Sequence, residues 1–188
     1  MLYICIPTYD EAPTVGVLLW RIRKVFQDYA REYEILVYDD ASTDTTREIL
    51  EPYTKALIEA CATKQNTPIR KGDVVLFHSG WMDLIATDLA TYNKGEPGLG
   101  KDGAAYLASK DVMAVGADTW ALEVLPSEDK NEAFPIHQIL LPMNGIYILE
   151  NMVTRDLAKD AGYEFMFVLG AARMTGAVQM IINPVAIR

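Results

Sequence analysis

The sequence predicts an α/β fold, with a parallel β-α-β start joined to a mixed α/β region. Three observations carry this expectation. Apolar runs of strand length alternate with stretches that repeat apolar residues at helical spacing. The first two strand-like runs, Leu2 to Ile6 and Glu34 to Tyr38, flank one helical stretch, which is the order of a parallel crossover. Apolar residues make up 51% of the 188 residues, enough to pack one medium domain or two small ones.

Taken in order, Leu2 to Ile6 combines branched and aromatic residues, and Pro7 ends it. Pro13 suits the first turn of the next helix, with Asp10 or Thr14 as its cap. Leu18, Ile22, Val25, Phe26 and Tyr29 then recur on one face. Glu34 to Tyr38 is a second strand and runs straight into Asp39 and Asp40. Ser42 and Asp44 can cap a helix from Thr45 to about Ala62. Thr63 to Lys71 is polar, carries Pro68 and has no periodicity, so a junction is expected there, between residues 1–62 and 72–188. Beyond it, strands are expected at Asp73 to Phe77, Val112 to Ala117, Gly145 to Glu150, Tyr163 to Leu169 and Pro184 to Ile187. Helices are expected at Lys101 to Ser109, Pro135 to Leu141 and Thr154 to Lys159. Asp83 to Gly100 reads as a long glycine-bearing loop and Pro126 to Phe134 as an acidic one.

A net charge of −9 argues against a nucleic-acid partner, which would want a basic face. Cys5 and Cys61 are too few and too far apart for a disulfide framework or a paired thiolate site. Cys5, inside an apolar strand pattern, reads as a small buried hydrophobe. Met1 is followed by a short apolar run without a basic flank, unlike a signal peptide, and no stretch approaches a membrane span. The expectation is a soluble cytoplasmic protein without a membrane partner.

Two wordings carry family resemblance. Ile-Pro-Thr-Tyr-Asp-Glu (6–11), a helical stretch, then Ile-Leu-Val-Tyr-Asp-Asp-Ala-Ser-Thr-Asp (35–44) resembles the opening of a family 2 glycosyltransferase with its GT-A-like β-α-β start. From about Arg70 the chain changes to Lys-Gly-Asp-Val-Val-Leu-Phe-His-Ser-Gly-Trp, Val-Gly-Ala-Asp-Thr-Trp, Phe-Pro-Ile-His-Gln and Asn-Gly-Ile-Tyr-Ile-Leu-Glu-Asn. That resembles the second half of the metal-dependent cyclase family, which includes bacterial kynurenine formamidase and has a swivelling β/β/α domain. The chain thus reads as chimera-like.

The cyclase resemblance implies a metal-dependent hydrolase of an amide, formamide or lactone, acting on a small molecule. It maps His137 and Glu150 onto second-half site positions, where the Glu ligates metal and the His binds metal or shuttles a proton. Read without the family, His137 is an inert, partly exposed histidine at a helix start. Glu150 is less comfortable structurally, because an unpaired buried carboxylate is costly. Asp118, at a strand end, either lines the same pocket or caps its own turn. Trp120 and Trp81 either line a substrate pocket or pack in the core, and His78 reads as a satisfied core or edge histidine. The family's His-x-Gly-Thr-His-x-Asp cluster does not stand in these residues, which hold two histidines. Three protein ligands are the usual minimum for a catalytic metal, so a zinc or manganese ion would be weakly held and the site impaired. The glycosyltransferase resemblance implies the alternative, a nucleotide-sugar pocket built from Pro7, Tyr9, Glu11, Asp39 and Asp40. A strand ending in two carboxylates places them at a ligand-binding sheet edge, although a strand end followed by a capping turn has the same wording. Exposed strand edges point to a homo-oligomer, and a non-catalytic protein that associates through those edges is the third reading.

Overall fold

The computed structural model describes residues 2–8, 12–26, 29, 33–39, 52–129 and 131–188. Strands β1 (Leu2–Thr8) and β2 (Tyr33–Asp39) pair in parallel around helix α1 (Ala12–Val25), which is the expected crossover. Ile6 and Val15 are buried in this unit. Cys5 is exposed, against expectation. Successive strand residues face opposite sides of a sheet, so covering Ile6 turns Cys5 outward.

The second sheet is β3 (Val74–Phe77), β4 (Ala114–Ala117) and β5 (Tyr147–Leu149), in that spatial order and parallel throughout. Parallel neighbours need crossover connections. Between β3 and β4 the chain passes through α3 (Leu84–Thr87), α4 (Leu89–Tyr92) and α5 (Lys101–Ser109). Between β4 and β5 it passes through α6 (Pro135–Asn144). The central strand is Ala-Val-Gly-Ala and is buried along its length, as a strand covered on both faces requires. Val115 and Ala117 join Leu99, Leu107, Leu122, Ile136 and Leu140 on one side. Ala114 joins Leu149 and Met152 on the other, where Phe167 and Leu169 also pack. Beyond helix α7 (Arg155–Lys159), β6 (Met166–Val168) and β7 (Val185–Ile187) form an antiparallel pair.

Three expectations are corrected. The helix read from Thr45 to Ala62 is α2 (Lys55–Lys64), with residues 40–51 outside the described part. Pro52 and Tyr53 are not helical, because the Tyr53 N–H donates to Gly98 O at 2.8 Å and Tyr53 bridges Leu99. Thr54 then caps α2 through the Leu57 N–H, and Tyr53 and Ile58 enter the same core as Leu99 and Leu107. The stretch from Asp83 to Gly100 is not all loop, since Asp88 accepts from the Thr91 N–H at 3.0 Å and starts α4. Helix α6 runs on to Asn144 with Pro142 inside it, which removes one main-chain donor, and left-handed Gly145 closes it. Among the described residues no helix is long and apolar enough to cross a membrane.

Gly103 is where α5 touches the 52–54 segment. A Cβ built there would lie 2.0 Å from Tyr53 O and 2.8 Å from Leu99 Cδ1. Neither neighbour is a free side-chain end. Gly103→Ala should therefore destabilise the chain by about 1–3 kcal/mol, the usual cost of overpacking. Thermal unfolding should show this as a Tm lower by about 2–4 °C per kcal/mol, and an unchanged Tm would count against the close approach.

Candidate functional site

Each strand of the three-stranded sheet hands one polar residue to the same edge. His78 follows β3, Asp118 follows β4 and Glu150 follows β5. The carboxyl edge of a parallel sheet is where α/β folds place ligands.

His137 reaches this edge from the first turn of α6. Left-handed Phe134 precedes the helix without a side-chain cap, and Pro135 begins it. Buried Glu123 takes the capping role from a distance. Its Oε2 accepts from the Ile136 N–H at 3.2 Å, and its Oε1 lies 2.5 Å from His137 Nδ1. On the other side of the ring, Nε2 lies 3.3 Å from Glu150 Oε1. Phe134 packs edge-on against the imidazole, with ring centroids 5.2 Å apart. The hydrogen bond to Glu123, followed by that to Glu150, raises the His137 pKa to about 9, against the opposing effect of burial. At neutral pH the ring is a cation that donates from both nitrogens. The expected pair, His137 and Glu150, is thus brought together, with Glu123 as the partner that sequence reasoning missed.

Glu96 was missed as well. It is 4% exposed, and its two oxygens accept from the Trp120 N–H at 2.7 Å and the Ala121 N–H at 2.8 Å. Burial pushes its pKa up to about 7, and the two N–H bonds pull back only part of that rise. A carboxyl with such a value can give and take a proton near neutrality.

Asp118 is buried and spends its acceptors on a turn. Oδ1 takes the Ser79 N–H and the Ser79 hydroxyl, and Oδ2 takes the Gly80 N–H at 2.7 Å. The turn it holds lies on the neighbouring strand's loop rather than its own. His78 Nδ1 sits 2.9 Å from Thr154 Oγ1 and 3.3 Å from Asp118 Oδ2, so it is an edge histidine with partners. The Trp120 indole N–H donates to Tyr92 O at 3.0 Å, and the Tyr92 hydroxyl donates to Asn151 Oδ1. These bonds pin the 92–96 stretch beside the residue that follows Glu150.

At the other sheet, register sets Pro7 beside Tyr38 and Thr8 beside Asp39, at one edge. Tyr9, Glu11 and Asp40 lie outside the described residues. Among the described residues no group of three or more His, Cys, Asp or Glu side chains is placed to hold a metal ion. His137 and Glu150 offer an imidazole and a carboxylate, which suit zinc or manganese in kind and fall short in number.

Residues 31–124 match the Cyclase family model, so the match takes in the stretch on either side of the expected junction. A solved crystal structure of a novel cyclase superimposes with a TM-score of 0.63 at 26% identity. The alignment covers 73% of this chain and 47% of that one, so the chain spans about half the length of that cyclase.

The proton on His137 should be visible in stability. The folded chain holds it up to about pH 9 and an unfolded histidine only up to about 6.5. The stability it contributes is fully present below pH 6.5 and is lost as pH rises through about 9. Denaturation midpoints should fall across that window, and Glu123→Gln should flatten the fall. In the same variant an NMR titration of the His137 ring should move toward 6.5. A ring that still titrates near 9 in Glu123→Gln would show that the carboxylate is not the cause.

Proposed function

The chain belongs to the Cyclase family, and we propose that it is a hydrolase of a small amide, formamide or lactone in which His137, Glu150 and Glu123 work at the sheet edge. The observation that carries this reading is the imidazole held between two carboxylates, Glu123 at 2.5 Å and Glu150 at 3.3 Å.

Hydrolysis of such a carbonyl needs a proton taken from water and a proton given to the leaving nitrogen or oxygen. Glu150 Oε1, facing Nε2, is placed to accept the first. His137, charged at neutral pH, is placed to give the second from Nε2, while Glu123 keeps Nδ1 occupied and the ring oriented. Glu96, buried nearby on the same edge, can hold a proton between turnovers.

A zinc or manganese ion would be held by His137 Nε2 and Glu150, and would supply an acidified water as nucleophile. A buried carboxylate behind the other ring nitrogen is the usual support for a ligating histidine. Two protein donors hold such an ion weakly, and the ion competes with the proton that Glu123 and Glu150 stabilise on the ring. We therefore propose that this chain by itself hydrolyses formamides or lactones slowly. The same reading includes a homo-oligomer, since Met166, Val168, Val185 and Ile187 on the β6–β7 pair are exposed.

Metal content per chain after dialysis against zinc or manganese tests the site. It should be substoichiometric, higher at pH 8 than at pH 6, and lost in the double variant His137→Ala with Glu150→Gln. Unchanged metal in that variant would remove the assignment. Any hydrolysis of N-formyl or lactone substrates should drop by about 10²-fold or more with Glu150→Gln, the scale of a lost acid–base group.

A further inference from the structure

We propose that Glu96 is a positioning residue of this site, fixing the 119–123 segment so that Glu123 lies under His137. The inference deepens the hydrolase reading and rests on the same His137 arrangement.

The two glutamates are joined through one short piece of backbone. Glu96 receives the N–H groups of Trp120 and Ala121, at 2.7 and 2.8 Å, one on each oxygen. Two residues later comes Glu123, whose carboxylate contacts His137 and the first turn of α6. Between them lies Leu122, fully buried and with φ of 62°. A branched side chain rarely adopts that left-handed backbone, and it persists only where its surroundings impose it. The surroundings here do so from both sides. Upstream are the two bonds to the Glu96 carboxylate. Downstream the main chain of 96–99 pairs with 122–125: the Leu99 N–H donates to Leu122 O at 2.9 Å, the Val124 N–H to Leu99 O at 3.1 Å, and Glu96 and Leu125 exchange bonds at 3.0 Å. At Gly98 a Cβ would lie 2.4 Å from Leu122 O, so the two segments touch backbone to backbone.

The main-chain pairing holds residues 122–125 as an edge, and the Glu123 N–H closes on Ala121 O at 2.6 Å, but neither uses the N–H groups of Trp120 and Ala121. The Glu96 carboxylate does. Without it those two N–H groups lose their recorded acceptors, and the buried turn relaxes through Leu122, the residue with most strain to release. The direction of the Glu123 side chain is set by that turn. A carboxyl group in the 93–100 stretch thus controls the partner of an imidazole on α6, and both of its oxygens are taken by backbone donors.

The test reads the His137–Glu123 hydrogen bond directly, without metal or substrate. The Nδ1 proton of a histidine held by a carboxylate gives a far-downfield proton resonance, assigned here by its loss in Glu123→Gln. Glu96→Gln keeps the shape of the side chain but offers one acceptor where two are needed, and Glu96→Asp keeps the charge but withdraws it. Both should lose the resonance or move it well upfield while the fold remains by circular dichroism; if Glu96→Gln does not fold, Glu96→Asp carries the test. Ile58→Ala, a core deletion on α2 that shares the core with Leu99 but removes none of the Glu96 hydrogen bonds, should lower Tm and leave the resonance in place. A resonance unmoved in a folded Glu96 variant, or lost equally in Ile58→Ala, would overturn the positioning role. Wild-type protein inert toward formamides and lactones would instead count against the hydrolase reading alone.

Discussion

The arrangement at the sheet edge depends on one buried carboxylate, Glu123, and on how its charge is met. The residue is 1% exposed, and an ionised carboxylate buried without a partner is too costly to keep. Its recorded partners are the Ile136 N–H and the His137 ring. Both belong to the first turn of α6, where free N–H groups and the positive end of the helix dipole favour an anion. One interaction therefore caps a helix that lacks a cap of its own, fixes the ring plane of His137, and keeps a proton on it. Remove the histidine and the carboxylate is left buried with one donor, so the pair stands or falls together.

The rest of the fold can be understood as what brings that pair to Glu150. Three short parallel strands set His78, Asp118 and Glu150 on one edge, and the small residues of β4 allow this. At Gly116 a Cβ would lie 2.8 Å from Leu76 and 2.9 Å from Leu149, the side chains of the strands on either side. Asp118 then holds the turn after β3 through Ser79 and Gly80, tying two of the three strand ends to each other. The Asn151 N–H donates to Thr119 O and the Met152 N–H to Ala117 O, which ties the third. Glu150 leaves β5 immediately before these bonds, so they fix the main chain from which its side chain meets His137.

Much of this was legible in the sequence, and the limits have physical causes. Helix α5 and the positions of β3 to β5 follow from local periodicity, and their expected bounds lie within two residues of the observed ones. His137 and Glu150 were paired through resemblance, and the structure places them in contact. Glu123 and Glu96 were not found, because a single carboxylate carries no period. Glu123 stands in Ala-Leu-Glu-Val-Leu, where an isolated acid among apolar residues reads as the outward face of a strand. The one available signal was that four of its nearest neighbours are apolar, which is unusual for a solvated loop. Glu96, in Gly-Glu-Pro-Gly, has the wording of an exposed turn. Its burial comes from pairing with residues some two dozen positions away, which no local pattern records. A further non-local pairing, Tyr53 with Leu99, interrupts the helix expected from Thr45 to Ala62 at residues 52–54.

The electrostatics of the edge set two demands against each other. Glu96 is pushed up to about 7 by burial and His137 up to about 9 by its carboxylates, so this edge retains protons that the same residues would lose in water. A proton on Nε2 opposes metal, because a ligating imidazole must be neutral. Further ligating side chains around an ion at Glu150 would shift the balance toward the metal-bound state. Glu123 alone supports both states: behind a protonated ring it is a counter-ion, and behind a ligating ring it is the acceptor that orients the tautomer. Among the described residues the carboxylates on both sides of the ring tip this balance toward the protonated imidazole, and a metal would have to outweigh them to displace the proton.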